Sequence, residues 1–293
     1  MPPRPSERLT IAFLAVLLGL ALILRPPGWI PTASALAGML AFVAGLPRLR
    51  GSRGALFRDF APIGIVLGIY LLLQPLVAAA NGYRGDLLLA AWDSRLFGAF
   101  MHHWRTAFGR PDLLTDAMYG AYASFYLLPV GVAAMVRSRR GAAGFERVVF
   151  ALLLGFYLSF LGYFLCPAEG PRVPRALESA QLGGSAFSEA IRGFLHASER
   201  TTLDAFPSGH TALSLLPAML ATRLFPRWAV LLWAWALAIV FATVYLSLHY
   251  GVDVVAGILL ALLTYQWAGP LSLAFGAPPG RAQFEGPGAP TKP

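Results

Sequence analysis

The sequence predicts an all-α integral membrane protein with about eight transmembrane helices, and three observations carry that prediction. Hydrophobic residues make up 57% of the 293-residue chain and charged residues only 13%, where a soluble domain would carry about a quarter charged. The mean hydropathy is +0.62. The apolar residues also gather in runs close to the roughly 20 residues that cross a bilayer. These runs fall near 9–24, 29–46, 61–80, 113–136, 148–165, 211–225, 228–247 and 252–268.

The first two runs follow a basic start, and Ala33-Ser34-Ala35 offers a small-residue site of the kind that ends a signal peptide. Cleavage there would cut the second run and leave a fragment too short to span, so an uncleaved two-helix hairpin is expected over 1–58. After the third run, residues 81–112 mix Leu87-Leu88-Leu89, Trp92 and Leu96-Phe97 with Asp86, Asp93 and Arg95. That mixture suits a helix lying in the membrane interface. Residues 166–209 hold no long apolar run and read as a surface loop. Pro and Gly within the spans are tolerated, because neighbouring helices satisfy the freed backbone groups. The tail over 269–293, with Ala277-Pro278-Pro279-Gly280, reads as disordered.

Charge sets the expected orientation. With the N-terminus inside, the inner segments hold fourteen of the 23 basic residues, in clusters such as Arg48, Arg50, Arg53 and Arg58, but only four of the 14 acidic ones. Dense arginine in short loops marks the cytoplasmic side, so both termini are expected there. The net charge of +9 is explained by this bias and needs no nucleic acid. Lys292 is the only lysine, a composition pointing to a GC-rich bacterial genome and hence to an inner (plasma) membrane. Cys166 is the single cysteine, so an intrachain disulfide is impossible.

In this topology the polar chemistry gathers at the outer, periplasmic face. Phe206-Pro207-Ser208-Gly209-His210 precedes the sixth run, and His249-Tyr250-Gly251-Val252-Asp253 opens the eighth. Histidine and aspartate four residues apart share a helix face, so Asp253 can orient His249. A carboxylate at the start of an apolar run is costly without such a partner. Pro-Ser-Gly before a helix presents free N–H groups and a positive dipole end, which attract an anion. Ser208 and Gly209 are therefore candidate phosphate-binding residues. A third segment, Cys166-Pro167-Ala168-Glu169-Gly170-Pro171-Arg172, reaches the same face. Arg172, and behind it Arg175, offers a planar fork matched to phosphate oxygens. With a phosphate ester as substrate, His249 serves as nucleophile and His210 as general acid, with no metal and no cofactor. His102, His103 and His196 lack a carboxylate at helical spacing and read as exposed interfacial residues. A transporter would place ionisable groups near the midplane instead.

Pro207-Ser208-Gly209-His210 followed by His249-x3-Asp253 resembles the signature of the type 2 phosphatidic acid phosphatase superfamily. The resemblance implies a six-helix catalytic core at 59–268 behind the N-terminal hairpin. It also implies a phosphohistidine at His249, with Asp253 orienting it and His210 protonating the leaving group. The expected substrate is a lipid phosphate or phospholipid, and the expected activity is hydrolysis. Two departures stand out. The arginine of the third motif is replaced by Thr243, and the first motif is Pro167-Ala-Glu-Gly-Pro-Arg172 rather than Lys-x6-Arg-Pro. The changed third motif, together with Trp92-Asp93-Ser94-Arg95-Leu96-Phe97-Gly98, looks like the branch holding inositol phosphorylceramide synthase and sphingomyelin synthase. That branch implies transfer to a lipid alcohol as the alternative.

Overall fold

The computed structural model describes residues 2–98, 107–109, 111–171, 183–198 and 202–278, and among these there is no strand. The described residues form ten α-helices in chain order: α1 (Pro5–Leu24), α2 (Trp29–Gly45), α3 (Gly51–Ala80), α4 (Asp86–Phe97), α5 (Asp112–Ala123), α6 (Leu127–Leu165), α7 (Ala186–Ser198), α8 (Gly209–Leu224), α9 (Pro226–Tyr245) and α10 (Gly251–Ala274). The outward-facing side chains are apolar, with Ile23 78% and Val230 82% exposed. Such a surface suits hydrocarbon rather than water.

Among the described residues, six helical stretches are long and apolar enough to cross a membrane: α1, α2 with the turn after it, α3, the continuous stretch Asp112–Leu165, α9 and α10. The protein is therefore a multi-pass membrane protein, but length and apolarity yield six spans where the sequence led us to expect eight. Two features make the difference. The helix α8 has 16 residues, and the runs at 113–136 and 148–165 lie within one long stretch. That stretch is broken at Gly141, whose φ of 71° and ψ of −171° are not helical. Contacts on either side of Gly141 show the chain reversing. Arg137 and Phe145 both meet the start of α3, at Asp59 and Phe60, while Tyr122 and Ser159 line one cavity further along.

The returning half of α6 is the central post. Phe145, Phe150, Leu153, Tyr157 and Phe160 are buried along it, against α1, α3, α8 and α10. The N-terminal hairpin is not set apart from this core. On α1, Phe13 stacks on Tyr157 at 4.3 Å, and the Thr10 and Tyr157 hydroxyls lie 2.9 Å apart.

Three of the expected inner arginines, Arg4, Arg58 and Arg137, meet carboxylates at one end of the bundle. Arg58 grips Glu7 with two 2.8 Å bonds, from Nε and Nη2. Asp59 receives Arg4 at 2.7 Å and Arg137 at 2.6 Å, and the Ser6 N–H donates to Glu146 at 2.8 Å. These pairs extend α3 back to Gly51, ten residues before the expected start at 61, because partners on α1 and α6 allow charged residues inside a packed helix.

The 166–209 segment is not all loop. It contains α7, where Phe187, Ile191, Phe194 and Leu195 recur at helical spacing. That periodicity was present in the sequence but too short to suggest a span. α7 is anchored by Asp112 and Asp116 of α5, which accept from the Gly184 and Ser185 N–H groups at 2.7 and 2.9 Å.

Arg58→Ala is expected to destabilise the fold by about 3–5 kcal/mol, since it strands the Glu7 carboxylate in a dry site. The check is thermal unfolding in detergent. Gly64→Ala, where an added Cβ meets nothing within 4 Å, should leave the midpoint unmoved.

Candidate active site

Three loops meet at the end of the bundle away from the arginine cluster, and backbone hydrogen bonds join them. The Ala205 N–H donates to the Ala168 carbonyl at 3.0 Å, and the Ser208 N–H to the Asp253 carbonyl at 3.1 Å. The Leu248 and His249 N–H groups both donate to the Thr243 carbonyl, at 2.9 and 3.1 Å, in the turn that ends α9. Close approach depends on glycine here. A Cβ on Gly170, whose φ is +81°, would lie 2.7 Å from the Leu248 carbonyl oxygen, and one on Gly257 would lie 2.6 Å from that of Ser208.

His249 is 6% exposed, and its Nδ1 lies 2.9 Å from the Ala205 carbonyl oxygen. A carbonyl only accepts, so Nδ1 carries a proton, and in the neutral imidazole the lone pair is then on Nε2. Asp253 Oδ2 is the second neighbour of Nδ1, at 3.5 Å. The same oxygen accepts the Tyr250 N–H at 2.8 Å, so Asp253 caps α10 and flanks the imidazole at once. Asp253 Oδ1 is buried with no hydrogen-bond partner among the described residues.

His210 sits in the first turn of α8, its ring stacked on Tyr122 at 4.3 Å and tilted against Phe125 at 4.4 Å. Its centroid is 5.8 Å from that of His249. Both imidazoles line one cavity of about 60 Å³, with Ser159, Tyr163 and Asp204 also in its wall. Ser208 is fully buried, and its Oγ accepts from the Thr211 N–H at 3.2 Å and the Thr211 hydroxyl at 3.0 Å. Its first duty is thus to cap α8. Gly209 has no side chain to separate α8 from α6, and a Cβ there would lie 3.0 Å from Ser159 Oγ. The first N–H groups of α8 lack intrahelical carbonyl partners and give this end of the cavity positive character.

The structure thus brings His210, His249, Asp253, Ser208 and Gly209 together. Arg172 and Arg175 lie outside the described residues, as do His102, His103 and the side chain of His196, and the tail beyond residue 278. Thr243 supplies no replacement cation. It is fully buried, and its hydroxyl turns back to the Val240 carbonyl at 2.7 Å.

Several participants had escaped the sequence reading. The Ala205 carbonyl left no trace in it, because a backbone oxygen has no residue type. Tyr122 and Phe125 were hidden in an apolar run. Asp204, four residues before Ser208, was visible but unremarkable; its carboxylate accepts the Tyr70 hydroxyl at 2.7 Å.

A wider apolar groove of about 680 Å³ adjoins the cavity, between α3 and the two halves of α6, with Phe194 and Leu195 of α7 at its wall. Val66, Leu67, Tyr70, Tyr126 and Phe156 line both spaces. The groove reaches Phe60 and Phe145, near the arginine-rich end.

A family model described as the PAP2 superfamily, the type 2 phosphatidic acid phosphatases, matches residues 87–267, from α4 into α10. The chain belongs to the PAP2 superfamily. Among curated proteins, the inositol phosphorylceramide synthase catalytic subunit of Schizosaccharomyces pombe is 36% identical over 69 residues. That stretch is 24% of this chain and 16% of the yeast protein, so the chain spans under a fifth of that relative's length. No solved structure matches. The match fits the expectation from the Pro-Ser-Gly-His and His-x3-Asp motifs of a phosphatase and phosphotransferase family, and the long apolar helices make this chain a membrane member of it.

Cys166 adjoins this site, just after α6. Burial, and then the carboxylates of Asp253 and Asp86, push its thiol up to about 11. The raised value keeps the thiol protonated at neutral pH, and alkylation needs the thiolate. Maleimide labelling of this single cysteine should be slow at pH 7 and rise steadily towards pH 11. Fast labelling at pH 7, followed by mass spectrometry of the intact protein, would contradict this.

Proposed function

We propose that the protein is a membrane lipid phosphate phosphohydrolase that works through a phosphohistidine at His249. The observation that carries the reading is the hydrogen bond from His249 Nδ1 to the Ala205 carbonyl, 5.8 Å ring to ring from His210. It presents Nε2 as the nucleophile with its lone pair free. In the first step Nε2 forms a bond to phosphorus while the ester P–O bond breaks, and His210 gives its proton to the departing oxygen. Asp253, beside Nδ1, stabilises the positive charge that the imidazole gains. In the second step water attacks phosphorus, His210 takes its proton, and the P–N bond breaks to free His249.

Charge on the phosphate is met by the N-terminal turn of α8, with Ser208 and Gly209, and by Arg172 and Arg175 from the loop after α6. No metal is needed in this scheme. The apolar groove supports a lipid substrate, because it offers hydrocarbon a path to the cavity wall. We further place the site at the periplasmic face, with eight passes and both termini cytoplasmic. This count reads 112–165 as two antiparallel passes and takes α8 as a short one. Residues 1–58 then form the hairpin added to a core at 59–268, and 269–293 the cytoplasmic tail.

A second reading keeps the same first step and replaces water with a lipid alcohol. Two observations favour it: the likeness to inositol phosphorylceramide synthase, and Thr243 at the position of the expected third-motif arginine. The acceptor alcohol would approach along the same groove.

Purified protein supplied with labelled phosphatidic acid and phosphoinositides, with and without diacylglycerol or ceramide, separates the two. Inorganic phosphate as product marks the hydrolase, and a new phospholipid marks the transferase. His249→Ala should lower turnover by at least about a thousandfold while insertion and unfolding temperature persist. Wild-type turnover in that variant would remove His249 as nucleophile. Activity should also survive chelator, and a loss restored by added divalent cation would overturn the metal-free scheme.

A further inference from the structure

The helix α4 lies across the junction of the three loops with one face buried and the other bare. Leu89, on the buried face, joins Ala168, Ala205, Tyr250 and Val252 in one apolar cluster, so it touches the region where all three loops meet. Leu87 and Leu96 are 86% and 70% exposed. Two carboxylates share the buried face with Leu89, spaced seven residues and hence two turns apart. Asp86, in the first turn, accepts the Glu169 and Gly170 N–H groups at 3.0 and 2.9 Å. Beside it the Gly85 N–H donates to the Pro167 carbonyl at 2.8 Å. Asp93, 5% exposed, accepts the Val252 N–H at 3.2 Å in the first turn of α10. One turn further, Phe97 lies so close to Gly251 that a Cβ there would be 2.7 Å from its ring.

We propose that Asp86 and Asp93 are positioning residues, holding the 166–171 loop and the His249-bearing start of α10 at a set distance through one rigid helix. The reasoning rests on the site reading above and extends it to residues that touch no substrate. The 166–171 loop leads directly into Arg172. The Val252 N–H lies between His249 and Asp253 in the chain. A helix that clamps both sets the phosphate-binding side of the site in register with the nucleophile. Shifts of about 1 Å in such a register can cost about a hundredfold in rate. Carboxylates suit this task, because each oxygen can accept strongly from backbone N–H groups that would otherwise be buried unpaired.

The single cysteine makes the clamp observable without any turnover, since Cys166 opens the clamped loop. Because the Asp86 charge also raises the thiol, the comparison is with Asp86→Asn, which loses the same charge but keeps an accepting oxygen. Asp86→Ala should label Cys166 with maleimide several-fold faster than Asp86→Asn at fixed pH, and Asp93→Ala should change labelling little, because Asp93 holds the other loop. Both variants should lose about tenfold or more in kcat on a lipid phosphate, with KM less affected and the unfolding temperature held. Asp86→Asn and Asp93→Asn keep an accepting oxygen and should return most of the kcat. Wild-type kcat in the alanine variants, with Asp86→Ala labelling no faster than Asp86→Asn, would overturn the proposal. So would alanine and asparagine variants that fail alike, with kcat falling in step with the unfolding temperature. If the wild-type protein turned over no lipid phosphate but Asp86→Ala still labelled faster than Asp86→Asn, the clamp would stand and the catalytic reading would fall.

Discussion

One hydrogen bond organises the site, from His249 Nδ1 to the Ala205 carbonyl. It ties the turn after α9 to the loop before α8, so the two motifs cannot move independently. It also selects the tautomer, since the acceptor has no proton to give. Asp253, slightly further off, is free to serve the Tyr250 N–H while lending its charge. Capping of α10 and flanking of the imidazole both fall to Asp253 Oδ2. With a carbonyl taking the N–H, both are satisfied.

The rest of the bundle can be understood as support for that bond. The returning half of α6 carries Ser159 and Tyr163 to the cavity and packs α8 against α10 through small residues. Gly209, Gly257 and Gly170 mark the places where a methyl group would force backbones apart. At the far end, Arg58 with Glu7, and Asp59 with Arg4 and Arg137, lock α1, α3 and α6 where the expected cytoplasmic side lies. Between α3 and the two halves of α6 lies the apolar groove, and Val66, Leu67 and Tyr70 of its lining also wall the cavity.

Much of this was legible beforehand, and for identifiable reasons. The membrane class followed from composition, because hydrocarbon excludes unpaired charge. His210, His249 and Asp253 stood out because polar residues at the start of apolar runs need an explanation, and their spacing supplied one. The span count was less legible. The runs at 113–136 and 148–165 fall on either side of Gly141, and the run at 211–225 falls on the short α8, but hydropathy does not reveal that helical structure continues through Gly141. The helix α7 was missed because its apolar face is short and set among Gly, Ser and charged residues.

By itself, the sequence determined the solvent this protein lives in, the family it belongs to, and the residues with chemistry to offer. These are properties of residue type and local spacing, which a chain carries before it folds. Only the tertiary structure decided the partners. The acceptor for Nδ1 proved to be a backbone oxygen 44 residues away, and His210 proved to be held between Tyr122 and Phe125. Asp86 and Asp93, which looked like the polar side of an interfacial helix, turned inward to backbone N–H groups on two different loops. Such pairings depend on where distant segments come to rest, and no local pattern in the chain encodes a distance.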